Sequence, residues 1–105
     1  MAYCHRNLEL HRGRIANILK KYDNISEKLM PIIVTSDISL LKNVDLIIDS
    51  SIEDYQIKKE IYKNICAFVD NDIVIGCTTS SLDLNQLASY YQPENFFGLH
   101  FFNPP

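Results

Sequence analysis

Near the end of this 105-residue chain, the run Gly98-Leu99-His100-Phe101-Phe102-Asn103-Pro104-Pro105 sets one histidine among apolar residues and closes on Asn-Pro-Pro. The apolar neighbours read as a buried strand, and Asn-Pro-Pro as the place where the chain leaves it. Enzymes of the α/β class gather their chemistry at the carboxyl ends of strands, and an imidazole can exchange a proton near neutral pH. The same pattern also fits a histidine satisfied in a core or a loop. Two other polar clusters follow apolar runs: Ser50, Ser51 and Glu53, and then Thr78, Thr79, Ser80 and Ser81. If the strands are parallel, the three segments converge on one edge, which suits a ligand crevice. Each cluster has a plainer reading too. Ser50-Ser51-Ile52-Glu53 matches a capping box, and Ser80-Ser81-Leu82-Asp83 matches a helix cap. Lys58 reads as a solvated helix charge, and the pairs Phe96-Phe97 and Phe101-Phe102 as core.

The elements that must position these residues can be read from periodicity. A helix is predicted from Asn7 to about Lys21, with Leu8, Ile15, Ile18 and Leu19 at mostly helical spacing and Asp23-Asn24 as its stop. Pro31-Ile32-Ile33-Val34-Thr35 and Asp45-Leu46-Ile47-Ile48-Asp49 read as strands buried on both faces. From Ile52 to Phe68 the residues Ile57, Ile61, Ile65 and Phe68 recur every three or four positions, predicting an amphipathic helix with lysines opposite. A strand at Asp72–Gly76, a helix from Leu82 to Tyr91 stopped by Pro93, and a strand at Phe96–Phe102 complete the pattern. Continuous apolar strands separated by helices predict an α/β fold with a parallel sheet and helices on both faces. No repeat or linker divides the chain, so it reads as one domain or part of one.

Composition narrows the function classes. At 47% hydrophobic and 22% charged, the chain is globular, with length for one modest core. A net charge of −3, with lysine pairs only at Lys20-Lys21 and Lys58-Lys59, argues against a nucleic-acid partner. Cys4, Cys66 and Cys77 lack metal-ligand spacing, and Cys4-His5 with His11 finds no second ligand pair, so reduced thiols and no metal are expected. No apolar leader follows Met1 and no apolar run is long enough to span a bilayer, so the expectation is a cytoplasmic protein without a membrane partner.

Three blocks together carry a family resemblance: Asp45-Leu46-Ile47-Ile48-Asp49-Ser50-Ser51-Ile52-Glu53-Asp54-Tyr55-Gln56-Ile57-Lys58, then Thr79-Ser80-Ser81-Leu82, then Gly98-Leu99-His100-Phe101-Phe102-Asn103-Pro104. In order and spacing the chain resembles the NAD-binding domain of the 3-hydroxyacyl-CoA dehydrogenases, from about Leu8 to Pro105 and most closely after Asp45. The resemblance implies a partial Rossmann-like, doubly wound fold. It also implies NAD-dependent interconversion of a 3-hydroxyacyl-CoA and a 3-ketoacyl-CoA in fatty-acid metabolism. Taking a hydride from a secondary alcohol requires a base for the hydroxyl proton. His100 falls on the family's catalytic histidine. Ser80 matches the serine that hydrogen-bonds near the substrate oxygen and the nicotinamide, while Glu53 and Lys58 match positions that contact NAD. Thr78 stands on the cofactor side where the family usually has asparagine, and Ser50-Ser51 replaces a more apolar pair. The complete family enzyme is a homo-oligomer acting on acyl-CoA.

The chain also departs from the family pattern. Gly13, Gly76 and Gly98 cannot form the G-x-G-x-x-G turn that brings a helix N-terminus to the pyrophosphate. No acidic residue ends a second strand near Met1-Ala2-Tyr3-Cys4, and neither the orienting glutamate nor the helical domain follows Pro105. Residues 1–105 are therefore expected to be an incomplete NAD-binding domain, a fragment inactive and marginally soluble alone. In the family's strand order 3-2-1-4-5-6, the strand around Ile33 lies two strands from the one around Ile47, which predicts exposed or re-paired edges. Two alternatives stand beside this reading. One is a non-catalytic remnant that binds a partner subunit or an acyl-CoA. The other is a receiver-like signalling domain with Asp49 as phosphate acceptor, which lacks the expected acidic pair and lysine.

Overall fold

Two parallel sheets carry the chain, one in each of two compact units, Met1–Ile38 and Ser39–Pro105. The computed structural model describes residues 2–3, 8–20, 33–70 and 72–102. Cys4, His5, the stop at Asp23-Asn24, the strand start at Pro31-Ile32, and Asn103-Pro104-Pro105 lie outside the described residues.

In the first unit, β1 (Ala2–Tyr3) and β2 (Val34–Thr35) pair in parallel, Ala2 opposite Val34 and Tyr3 opposite Thr35. Parallel strands need a crossover, and α1 (Leu8–Lys20) lies between them in sequence, close to the predicted helix. Arg12 on α1 donates to the Val34 carbonyl at 3.4 Å and pairs with Glu9 one turn back at 3.1 Å. The ladder at Ala2–Tyr3 is a strand where the sequence showed none. Two residues are too few for a periodic pattern. No ladder joins β2 to the next strand among the described residues.

A 3-10 turn at Ile38–Asn43, absent from the sequence reading, leads to the second unit. There β3 (Leu46–Asp49), α2 (Tyr55–Phe68), β4 (Val74–Cys77), α3 (Leu84–Ala88) and β5 (Phe96–Gly98) follow in turn, with a second 3-10 turn at Pro93–Asn95 before β5. The sheet order is β3-β4-β5, all parallel. Ile47 aligns with Ile75 and Phe96, and Asp49 with Cys77 and Gly98.

Alternation along the strands sorts this sheet into two unlike faces. Asp49, Ile75 and Cys77 are buried on the face that receives α2, where the Tyr62 ring meets the edge of Phe96 at a centroid distance of 5.5 Å. The buried stripe of α2 is Lys58, Ile61, Tyr62 and Ile65. Phe68, predicted on that stripe, is exposed, and Lys58, predicted opposite it, is buried. The other face carries Leu46, Ile48 and Phe97, exposed by 45, 48 and 40%. The expectation of a β3 buried on both faces is thus overturned, since the described helices of this unit pack on one face only. Gly76 lets the Phe97 ring lie across β4 on that open face, because a Cβ there would meet Phe97 Cζ at 3.0 Å.

Element ends also shift. Helix α3 begins at Leu84, two residues later than predicted, and β5 ends at Gly98. Phe101 and Phe102 are 74 and 90% exposed, not core, because β4 has ended and offers no strand to pair with them. No helix among the described residues is long and apolar enough to cross a membrane.

Candidate functional site

The register that aligns Asp49, Cys77 and Gly98 brings three segments out of the sheet at one edge. Bonds just beyond the ladder tie them together. The Thr78 amide and hydroxyl both donate to the Asp49 carbonyl, at 2.9 and 3.2 Å, and the Leu99 amide donates to the Cys77 carbonyl at 2.8 Å. His100 comes next, exposed at the carboxyl edge. Gly98 permits the close approach of α3 to this strand, because a Cβ there would stand 2.7 Å from Leu84 Cδ1. The structure therefore brings His100 and the Thr78–Ser81 turn to the same edge of the sheet. Ser80 is exposed and Thr78 half-buried.

Lys58 has a different place. It is fully buried, and all three protons of its ammonium have acceptors: Asp49 Oδ2 at 2.9 Å, Ser51 Oγ at 3.1 Å and the Ser51 carbonyl at 3.3 Å. The solvated-charge reading of Lys58 is thereby overturned. A lysine three residues before Ile61 and four before Tyr62 shares their face of the helix and enters the core side, and Asp49 at the preceding strand end supplies the counter-charge.

Asp49 is the centre of this cluster. Its Oδ1 accepts from the Ser51 amide at 2.9 Å, and its Oδ2 accepts from Lys58, from the Tyr62 hydroxyl and, at 3.5 Å, from the Cys77 thiol. Burial would raise the carboxyl, but the bonds from Ser51, Tyr62 and Lys58 outweigh it and hold the group at about 2. Burial, reinforced by Asp49, pushes the Tyr62 phenol upward. With only 6% exposure and both oxygens engaged, Asp49 cannot be the accessible phosphate acceptor of the signalling alternative. Sequence reading missed the cluster, although a lysine on an apolar helical stripe behind a strand-end aspartate is a signal for a buried pair.

Of the two capping readings, Ser80-Ser81-Leu82-Asp83 does cap a helix, through Asp83, whereas the capping box at Ser50-Ser51-Ile52-Glu53 is overturned. Helix α2 is capped by Asp54, whose Oδ1 accepts from the Ile57 amide at 2.9 Å, and α3 by Asp83, which accepts from the Asn85 and Gln86 amides. Glu53 is thus not the returning member of a capping box. Its Oε2 reaches to the other turn, accepting from Thr79 Oγ1 and Ser81 Oγ at 2.7 Å each and from the Ser81 amide at 3.3 Å. Hydrogen bonds from Ser81 and Thr79 hold its carboxyl below the ordinary range.

An acid-stability prediction follows from Asp49. Its folded-state value lies below the unfolded one, so its contribution is complete above the ordinary carboxylate range and is lost as pH falls from about 4 to about 2. The difference is worth on the order of 2 kcal/mol. Urea midpoints measured across this range should fall steeply for the native chain and more gently for Asp49→Asn. Equal slopes would show that Asp49 is not held in this state.

Residues 4–105 match the family model described as 3-hydroxyacyl-CoA dehydrogenase, NAD binding domain. A 3-hydroxybutyryl-CoA dehydrogenase of Clostridioides difficile is 38% identical over 80 residues, covering 75% of this chain and 28% of that protein. The dehydrogenase part of multifunctional enzyme 1 from C. elegans superposes with a TM-score of 0.76 at 33% identity, over 94% of this chain and 25% of that one. The (S)-3-hydroxybutyryl-CoA dehydrogenase PaaH1 from Ralstonia eutropha gives a TM-score of 0.73 at 28% identity, over 89% and 37%. The chain spans well under half the length of each of these proteins. Its fold is Rossmann-like, as in these structures. On the family match and these likenesses together, the chain belongs to the 3-hydroxyacyl-CoA dehydrogenases, in the family of their NAD-binding domains.

Proposed function

We propose that this chain serves the NAD-dependent interconversion of a 3-hydroxyacyl-CoA and a 3-ketoacyl-CoA, as an incomplete NAD-binding domain whose activity requires the rest of the enzyme. The observation that carries the reading is the meeting of an exposed histidine and an exposed serine at the carboxyl edge of a parallel sheet, in a chain of this family. The residues present fit the nicotinamide end of NAD. Among the described residues the Ser80 hydroxyl and the His100 ring have no hydrogen-bond partner, and all three bonds to Glu53 fall on one of its two oxygens. When bound, NAD supplies the hydride acceptor.

His100 takes the proton of the substrate hydroxyl, and Ser80 donates to the substrate oxygen as it becomes a carbonyl. Glu53 and Thr78 stand on the cofactor side. Lys58 serves that side from beneath, since its ammonium fixes the Ser51 turn that leads to Glu53. Within this reading the substrate is an acyl-CoA, the complete protein is a cytoplasmic homo-oligomer, and neither nucleic acid nor membrane is a partner.

The test is to mix the full-length protein with NAD and 3-hydroxybutyryl-CoA, and then with longer-chain substrates, and to follow reduced cofactor and 3-ketoacyl product together. Stoichiometric formation of both is expected. A folded protein that binds NAD yet turns over no chain length would exclude the reading.

A further inference from the structure

Four consecutive hydroxyl residues, Thr78 to Ser81, follow β4, and the structure treats the last three unequally. Thr79 and Ser81 both donate to Glu53 Oε2 at 2.7 Å, and the Ser81 amide adds a bond at 3.3 Å. Ser80, between them, is exposed. When hydroxyls at positions i and i+2 are tied to one oxygen, the side chain at i+1 has to project away from it. The hold extends into the helix that follows. Thr79 Oγ1 accepts from the Leu82 amide at 3.1 Å, and the Tyr55 hydroxyl, two residues past Glu53, accepts from the Asp83 amide at 2.8 Å. Thr79 is buried, so the turn is anchored on the protein side and open on the other. The start of α2 and the start of α3 are thereby bolted together across 28 residues of sequence, with Glu53 as the principal acceptor.

We propose that Glu53 is a positioning residue, acting on the reaction through the Thr79-Ser80-Ser81 turn by fixing the direction of the Ser80 hydroxyl, whatever contact its second oxygen makes. The inference rests on the reading above, in which Ser80 meets the substrate oxygen. It separates Glu53 from a residue that only holds the cofactor. Such a residue would change the KM for NAD and leave kcat alone, whereas loss of the brace lets Ser80 wander and lowers kcat.

Two substitutions distinguish the cases. Glu53→Gln keeps an acceptor oxygen for the turn but loses the charge, and Glu53→Ala removes both. In the full-length protein, Glu53→Ala should lower kcat for 3-hydroxybutyryl-CoA oxidation by about tenfold or more, and Glu53→Gln should recover most of that loss. A second readout needs neither cofactor nor turnover. In the ligand-free protein, amide exchange at Ser81 and Leu82 should quicken by about tenfold in Glu53→Ala and much less in Glu53→Gln. Ser81→Ala, at an exposed site, should shift the same amides in the same direction and keeps the test open if Glu53→Ala folds poorly. Unchanged exchange in both alanine variants would overturn the proposal, as would a rise in KM for NAD with kcat intact. Faster exchange in a protein whose wild type lacks dehydrogenase activity would establish the brace and overturn the functional reading instead.

Discussion

Lys58→Met should destabilise this chain more than any other single substitution at the site, by about 3–5 kcal/mol, because it leaves the Asp49 carboxylate buried without its counter-charge. Against the roughly 5–15 kcal/mol that holds a domain of ordinary size, that is enough to shift urea or thermal unfolding drastically. Removing both charges should be far milder. In Asp49→Asn with Lys58→Met, the asparagine oxygen still accepts from the Ser51 amide, and its amide group can meet the Tyr62 hydroxyl. The double variant should therefore recover most of the loss, leaving a deficit of about 1–2 kcal/mol. A Lys58→Met chain within about 1 kcal/mol of the native one would mean that the ammonium is not the buried partner of Asp49. No comparable effect is expected at Lys59 or Lys63, which are exposed on the same helix.

His100→Gln should behave in the opposite way, with kcat falling by about 10²–10⁴ and stability staying within about 0.5 kcal/mol of native. The separation follows from where the residue sits. His100 is exposed and lies beyond the last ladder bond, from Leu99 to Cys77, so no packing depends on its ring. Glutamine can still hydrogen-bond but cannot take up a proton at neutral pH. The KM for NAD should be little altered, because the cofactor side proposed above rests on Glu53 and Thr78 and not on His100. Steady-state kinetics of the full-length variant, with an unfolding curve on the same sample, checks both halves. A variant that retains a tenth or more of the native kcat would remove His100 from the proton-transfer step.

What could be read in the chain depended on how local the information is. The helices and strands of the second half were legible because apolar runs and three-to-four spacing are local patterns. The convergence of Ser51, Thr79 and His100 on one edge then followed from parallel pairing alone. The errors arose where a side chain answers to something distant. Ser50-Ser51-Ile52-Glu53 mimics a capping box, yet Glu53 is claimed by hydroxyls 26 and 28 residues away, so the cap falls to Asp54. Lys58 reads as polar surface until Asp49, nine residues back, is known to lie inside. Leu46 and Ile48 read as covered on the strength of their apolarity, which records what a strand prefers and not whether a second layer is there to meet it.

The Asp49 cluster has a consequence for how the fold assembles. Asp49, Ser51, Lys58 and Tyr62 lie within a single strand-turn-helix, so their mutual bonds close over short loops and carry little contact-order penalty. Of the hydrogen bonds to the Asp49 carboxylate, only the one from Cys77 comes from outside that segment. The charged pair closes within β3 and α2, so its formation does not require β4 to have docked. The Glu53 bridge has to await the later strand, because its donors Thr79 and Ser81 follow β4.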